Sequence, residues 1–366
     1  MADAPACGAG GRTRALSVYL GAEAARRIAA DGWQPDLFDV LVGASGGAKW
    51  FILGHLDRLL FGDFLARGER PLNVLGSSIG TWRHACLAQP DPVGAIDRLE
   101  QGYLHQRYAS RRPSVEEISE VSLGILDSVL GTDGARHIAE HPRIRTHIVT
   151  ARGRGPAASR SNAMLAAAMG TAAMGNAVSR SLLRLVFQRV VFHSGATPDP
   201  GLHLGDFHTA YAALDAGNTR AALHASGSIP FVLTGERDIA GAPSGHYWDG
   251  GIIDYHFDLG QYQSDGLLLY PHFGANVIPG WFDKFLPWRR AALHEVEKLV
   301  LVCPSEAFIA DLPHGKIPDR SDFRTMREHE RLDYWQTCIE RSRALAEEFR
   351  ALIEGDDPLA GAVVLN

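Results

Sequence analysis

The sequence predicts an α/β protein whose central, mostly parallel sheet is flanked by helices. Residues 38–42 form an apolar run that enters a glycine-containing turn, and residues 48–61 continue with helical periodicity. The same order recurs at once, because the apolar run 72–75 leads into a second such turn and a helical segment at 81–88. Two strand–turn–helix units in succession are typical of a parallel sheet, since parallel strands need a crossover connection.

The remaining elements continue this alternation along the chain. They are a helix at 17–30 closed by Gly32, strands at 144–151, 231–233 and 267–270, a short helix at 219–225, an apolar run at 299–302 and a charged helical region at 322–352. The predicted units are a disordered start with one helix (1–36), a main α/β domain (37–275) and a mostly helical C-terminal extension packed on it (276–366).

The composition is that of a globular protein with no strong electrostatic preference. Of 366 residues, 46% are hydrophobic and 21% are charged, with a net charge of -6. Nucleic acid is therefore not predicted as a partner. Four widely spaced cysteines without zinc-type spacing predict free thiols, no metal and a cytoplasmic location. No signal peptide is predicted. No transmembrane helix is predicted either, because the uncharged stretch 162–178 is rich in alanine and glycine and is not apolar enough to span a membrane.

Both glycine turns match the sequence pattern Gly-x-Ser-x-Gly, with Ser45 in the first and Ser78 in the second. In this pattern, small flanking residues let the serine hydroxyl project from the sheet edge, and the next backbone N–H faces an oxyanion. The first turn continues into small residues and a cation at a helix start, where backbone N–H groups are unpaired. We therefore predict that Ser78 is the nucleophile. The predicted oxyanion donors are the backbone amides of Gly46, Gly47, Ala48 and Ile79.

A serine nucleophile needs a base, and Asp249 is the candidate. It follows two aromatic residues and precedes Gly250 and Gly251, which indicates a strand end that opens into a turn. An aspartate at such a turn is usually only a turn former. Its predicted role as the base that accepts the Ser78 proton depends on the other motifs of the chain.

Together these motifs resemble the patatin-like phospholipase family. In chain order they are Ser45-Gly46-Gly47-Ala48-Lys49, Gly76-Ser77-Ser78-Ile79-Gly80, the small-residue segment 225–231 and Asp249-Gly250-Gly251. The resemblance covers roughly residues 37–275 and makes them the catalytic domain. It implies a three-layer fold and a lipid acyl hydrolase with a Ser78/Asp249 dyad, no cofactor, and Lys49, Gly76, Gly80, Gly250 and Gly251 in supporting positions.

The sequence departs from the family pattern at several positions, which leaves two alternatives open. Ser45, Trp50, Tyr255 and Phe257 replace the residues usual there, and the sequence leaves open whether Trp50 or the C-terminal helices occlude the acyl site. The first alternative is a non-catalytic module that binds lipid or a protein partner. The second is a histidine-dependent serine esterase, for which His84 and His256 are candidates, since triad partners are recognised by geometry.

One segment bears on contact with a lipid surface. Residues 179–192 contain Arg180, Arg184 and Arg189 among apolar residues, which predicts a basic amphipathic helix and a peripheral membrane contact. An ordinary half-buried helix with a solvated arginine face has the same pattern. The methionines before it recur at five-residue steps and suit either an acyl pocket or plain core filling; they are Met164, Met169 and Met174.

Overall fold

The computed structural model describes residues 14–110, 112–195, 198 and 200–365. Its strands are β1 (Leu16–Leu20), β2 (Phe38–Gly43), β3 (Leu72–Ser77), β4 (Ile144–Gly153), β5 (Phe187–His193), β6 (Thr209–Ala213), β7 (Glu236–Arg237), β8 (His246–Asp249), β9 (Leu267–Pro271), β10 (Leu299–Pro304) and β11 (Val363–Val364). Its α-helices are α1 (Ala22–Asp31), α2 (Gly54–Leu59), α3 (Ile79–Leu87), α4 (Pro92–Leu104), α5 (Val115–Leu130), α6 (Gly134–Ala139), α7 (Asn162–Val178), α8 (Thr219–Gly227), α9 (Glu306–Asp311), α10 (Asp322–Thr325), α11 (Glu328–Arg341) and α12 (Arg343–Glu354).

All strands belong to one large sheet flanked by helices, in the order β11-β1-β10-β9-β2-β3-β4-β5-β6. The central run from β10 to β4 is parallel, whereas β1 pairs with β10, and β5 with β4, in the antiparallel direction. Strand β8 also pairs with β4, and β7 pairs with β8. The predicted α/β class with a mostly parallel central sheet is confirmed, and the patatin-like three-layer arrangement stays a prediction.

The central strands are continuous apolar runs because both faces of the sheet are covered. Every residue of β9 and β10 is buried, as are five of the six residues of β2. Parallel sheets covered on both faces have this composition, unlike the alternating pattern of a sheet with one wet face. The predicted strands at 38–42, 72–75, 144–151 and 267–270 are confirmed for this reason.

The first element of the described chain differs from the prediction. Residues 17–30 were expected to form one helix, but the structure has β1 followed by α1, with Gly32 as the cap of α1. The alternation of buried Leu16, Val18 and Leu20 lets β1 pair with β10, and this pairing outweighs the helix preference of the neighbouring alanines. The predicted disordered start, at residues 1–13, lies outside the described residues.

The sheet takes strands from both sides of the predicted domain limits at residues 36 and 276. Strand β1 precedes the first limit, and β10 follows the second and lies between β1 and β9. The C-terminal segment therefore supplies a central strand as well as helices, among which α10, α11 and α12 fall in the region predicted to be helical. Its apolar run became a strand because it could pair on both edges.

Two further predictions are wrong. Residues 231–233 form a turn, in which Phe231 has a φ of 66°, so they do not form a strand. Residues 179–192 do not form a basic amphipathic helix, because a 3-10 helix, Arg180–Leu185, is followed by β5. The β-branched residues of β5 pair with β4 and β6, and Arg189 points into buried carboxylates instead of solvent. Among the described residues, no helix is long and apolar enough to cross a bilayer.

Candidate active site

Ser78 occupies the sharp turn between β3 and α3. Its φ of 55° and ψ of -132° are sparsely populated for a residue with a side chain, so the turn is strained. The close packing of this turn explains its glycines. A Cβ on Gly80 would lie 2.1 Å from the carbonyl oxygen of Gly43, which means that α3 can approach β2 only if a glycine stands there. The second Gly-x-Ser-x-Gly segment thus has the geometry of a strand-to-helix elbow.

Asp249 lies directly opposite this elbow, at the end of β8. The Oγ of Ser78 donates a hydrogen bond to Oδ2 of Asp249 at 2.7 Å, and the other carboxylate oxygen accepts from the Gly251 amide at 2.7 Å. Both Ser78 and Asp249 are buried. A side chain at Gly250 would collide with the Val149 carbonyl at 2.2 Å, so the tight turn after Asp249 also requires a glycine. The structure therefore brings together two residues that are 171 positions apart.

The environment of Asp249 makes its carboxylate more basic than usual. Burial raises its pKa to about 6, against the opposing effects of the Ser78 and Gly251 hydrogen bonds and of the nearby Arg320 and Lys284 cations. A pKa in this range suits a general base near neutral pH, because most of the carboxylate is ionised there while it retains affinity for a proton.

The rate of ester hydrolysis is expected to follow the ionisation of Asp249. With a pKa of about 6, kcat/KM for an uncharged ester should rise with pH, lie about tenfold below its plateau at pH 5, and level off above pH 7. A pH profile between 4.5 and 8.5 measures this. An uncharged substrate is needed because the pKa of Lys284, in the same cavity, is about 7. A profile without a rise between pH 5 and 7 would contradict the assignment of Asp249 as the base.

The predicted oxyanion segment starts a 3-10 helix, Gly47–Leu53, beside the elbow. The first hydrogen bond of this turn runs from the Lys49 amide to the Gly46 carbonyl at 3.4 Å, so the preceding amides have no helical partner. Gly47 has a φ of 56°, which favours glycine, and lines the same cavity as Ser78. Ala48 is fully buried, and Ile79, the first residue of α3, lines a neighbouring cavity.

The other candidate serine, Ser45, is engaged in structural hydrogen bonds. Its hydroxyl bonds that of Ser77 at 2.7 Å, and Ser77 in turn donates to the Asp254 carbonyl. A serine that our sequence interpretation missed holds the elbow instead: Ser226 accepts from the Ser78 amide at 3.0 Å and donates to the Val149 carbonyl at 2.6 Å. The small-residue segment 225–231 was the signal, because its Ser226 contacts the backbone of Ser78.

Two cavities meet at Ser78. The larger has a volume of about 920 Å³ and extends between α7, the turn at 229–232 and the 3-10 helix Trp281–Phe285. The smaller, of about 490 Å³, extends toward Trp82, Tyr103 and Ile125. The residues common to both walls are Gly47, Ser78, Ile229, Val232, Arg320 and Arg324. The serine is therefore reached from two separate volumes.

Trp50, whose effect on the site the sequence left open, lines neither cavity. It is fully buried and packs on Phe51 and Tyr103, with ring centroids 5.0 and 6.5 Å away. Its direction follows from the 3-10 helix, which turns this side chain into the core while Lys49 faces the cavity. Tyr255 does line the larger cavity, and Phe257 is buried in the core.

The two candidate histidines lie away from the Ser78–Asp249 contact. Both ring nitrogens of His84 are buried without a hydrogen-bond partner among the described residues, and burial lowers its pKa well below the usual value. His256 shares a hydrogen bond of 3.0 Å with His272 and accepts from the Ile278 amide. Neither ring forms a hydrogen bond to Ser78 or Asp249 within the described chain, so the geometry offers no Ser–His–Asp relay through them.

A buried ion cluster anchors the turn that follows Asp249. Both carboxylate oxygens of Asp254 accept from Arg189, at 2.6 and 2.7 Å, and one of them also accepts from Arg180 at 3.1 Å. Arg189 further contacts Asp206 at 2.7 Å. Since the Asp254 carbonyl accepts from Ser77, this cluster connects the base turn to the elbow. No local sequence pattern indicated it, because its members come from distant segments.

Comparisons with known proteins identify no family for this chain. It matches no protein-family model and no curated protein sequence. Among solved structures, one similar chain comes from the heterodimeric complex ExoU-SpcU of the type III secretion system of Pseudomonas aeruginosa. The similarity has 16% sequence identity and a TM-score of 0.32, and it covers 90% of this chain. This chain spans 57% of the length of that one.

Proposed function

We propose that the protein is a serine hydrolase of the patatin-like phospholipase type, which cleaves carboxylic ester bonds of lipids through an acyl-enzyme. The observation that carries this proposal is the 2.7 Å hydrogen bond between Ser78 Oγ and Asp249 Oδ2, at a strained elbow that opens into the two cavities. The chain order of the four motifs in the sequence supports the same assignment.

In each half of the proposed reaction, formation and hydrolysis of the acyl-enzyme, Asp249 acts first as the base and then as the acid. Asp249 takes the proton of Ser78 Oγ as this oxygen attacks the ester carbonyl carbon, and the oxyanion is held by the amides of Gly46, Gly47, Ala48 and Ile79. The bond to the alcohol oxygen then breaks, and Asp249 gives its proton to the departing alcohol. Water attacks the acyl-enzyme with Asp249 again as the base, and the proton returns to Ser78 as the fatty acid leaves.

The surroundings of the site favour a lipid substrate over a small soluble ester. The larger cavity has apolar walls from α7, which carries no charged residue, and its volume accommodates an acyl chain. The adjoining segments also expose large apolar side chains to solvent: Met174, Val178, Leu185, Phe285 and Trp288. Of these, Phe285 also lines the larger cavity, and exposed large apolar side chains are typical of a surface that contacts lipid. This arrangement supports a peripheral contact with a lipid surface.

A fluorophosphonate probe tests the proposed nucleophile. We expect wild-type protein to be labelled, since Ser78 Oγ would attack phosphorus and displace fluoride, and we expect Ser78→Ala to remove labelling. Ser45→Ala is the matched control, because Ser45 stands in the other Gly-x-Ser-x-Gly segment but is bonded to Ser77. Absence of labelling in folded wild-type protein would favour the non-catalytic binding module. Labelling that persists in Ser78→Ala would place the nucleophile elsewhere.

A further inference from the structure

Positively charged side chains collect in the larger cavity beside Ser78. The charged residues of its wall are four cations and two carboxylates, namely Lys49, Lys284, Arg320, Arg324, Asp249 and Asp319. Three of the cations come from the C-terminal part of the chain, outside the segment that resembles a known family. A mostly apolar cavity with such an excess of positive charge is suited to a ligand that is itself partly anionic.

Three of these cations line the cavity without a carboxylate partner in the described part of the chain; Lys49 and Lys284 are half-buried, and Arg320 is exposed. Among the described residues, Lys49, Lys284 and Arg320 form no ion pair, whereas buried Arg83 is held by Asp57 with two hydrogen bonds of 2.6 Å. The Lys284 ammonium lies over the ring of Tyr255, at 3.7 Å from its centroid. These three side chains are therefore free to pair with an anionic group that enters the cavity.

Within the described residues, neither carboxylate of the wall forms an ion pair with these cations. Asp319 is already bonded to the Lys316 ammonium at 3.2 Å and to the Ser321 amide at 2.6 Å. Asp249 is engaged by Ser78 and by the Gly251 amide. Burial, together with the charges of Lys49 and Arg320, lowers the pKa of Lys284 to about 7, against the opposing effect of the Asp249 carboxylate.

We propose that Lys284 and Arg320, with Lys49, form a subsite for an anionic group carried by the ester substrate. The inference rests on the proposed function for its orientation: the ester carbonyl lies at Ser78, the acyl chain occupies the apolar walls, and the anion contacts the cations. The substrates that fit this subsite carry a phosphate or carboxylate group close to the ester. Such substrates are bound more tightly than chain-matched neutral esters, because the unpaired cations gain a partner.

Binding to Ser78→Ala protein tests this subsite without turnover. The two ligands are a monoacylglycerol phosphate and the monoacylglycerol with the same short acyl chain, both below their micelle concentrations, titrated by calorimetry. We expect about tenfold tighter binding of the phosphate-bearing ligand, which corresponds to roughly 1.4 kcal/mol. Adding Lys284→Gln and Arg320→Gln should remove this preference. Arg327→Gln is the matched control, because Arg327 is an exposed arginine that lines neither cavity.

The outcomes separate failure of the subsite from failure of the proposed function. Equal affinity for the two ligands, or a preference that survives the double replacement, overturns the subsite even if the wild-type protein hydrolyses a p-nitrophenyl ester. A preference that the double replacement removes supports the subsite even if that ester is not hydrolysed. Inorganic phosphate is the third ligand: if it binds as tightly as the lipid, the occupant is a free anion and the substrate assignment is overturned. Should the double variant not fold, Arg320→Gln alone carries the test, since Arg320 is exposed.

Discussion

Replacing Asp249 with asparagine is expected to lower kcat roughly 10³-fold or more. The amide of asparagine has nearly the shape of the carboxylate, but its nitrogen cannot accept the proton of Ser78. The 2.7 Å contact from the Ser78 hydroxyl would therefore no longer lead to proton transfer. Steady-state hydrolysis of a p-nitrophenyl ester measures the loss. Asp265→Asn removes an exposed carboxylate and serves as the control that should retain activity.

The same replacement is expected to stabilise the fold above pH 6. The pKa of Asp249 is raised from 3.8 to about 6, so the folded state binds more protons than the unfolded state between these values, and stability falls as pH rises. A shift of this size corresponds to roughly 3 kcal/mol, which the uncharged asparagine avoids at pH 8. Denaturant unfolding at pH 8 and at pH 3.5 checks this, because the gain should be lost at the lower pH. An inactive variant that is less stable at pH 8 would point to misfolding.

Replacing Arg189 with methionine is expected to reduce the free energy of unfolding by roughly 3–5 kcal/mol, because the Asp254 carboxylate would remain buried with Arg180 as its remaining cation. Although burial opposes the charged form, the Asp254 and Asp206 carboxylates raise the pKa of Arg189, so it is charged in the folded protein. The folded fraction of this variant should also hydrolyse ester more slowly, because the turn after Asp249 loses the contact between Arg189 and Asp254 that holds it in place.

The matched control for this prediction is Arg184→Met, in the same stretch of sequence. Arg184 is exposed in the 3-10 helix Arg180–Leu185, whereas Arg189 is 1% exposed. Its replacement should change stability by no more than about 0.5 kcal/mol. Denaturant unfolding of both variants at pH 7 provides the comparison. If they lose equal stability, the ion cluster does not hold the base turn.

The parts of the site that the sequence predicted are those encoded by neighbouring residues. The elbow around Ser78 needs Gly76 and Gly80 within a few positions, and the turn after Asp249 needs Gly250. The local sequence of each turn therefore predicts its backbone conformation. The parts that it did not predict depend on distant pairings. Ser226, Lys284 and Arg320 approach Ser78 only through the packing of separate segments, and neither Lys284 nor Arg320 stands in a distinctive local pattern.

The strands show the same division between local and distant information. Apolar runs that sit before glycine turns, such as β2 and β3, were recognised from their context. The segment of β5 has both a basic helical pattern and β-branched residues, and its pairing with β4 and β6 decided between them. Likewise, β1 follows from its partner β10, which is about 280 residues away. Such long-range pairings override local preference, because burial of a whole strand outweighs helix propensity.

The position of β10 has a consequence for how the chain is completed during synthesis. The partners of β1 are β10 and β11, which are synthesised about 280 or more residues after it. At about 5–20 residues per second, β1 waits many seconds with its backbone unpaired. Strand β1, which lies between β11 and β10 in the finished sheet, therefore begins with open edges that a chaperone or a neighbouring nascent chain can reach.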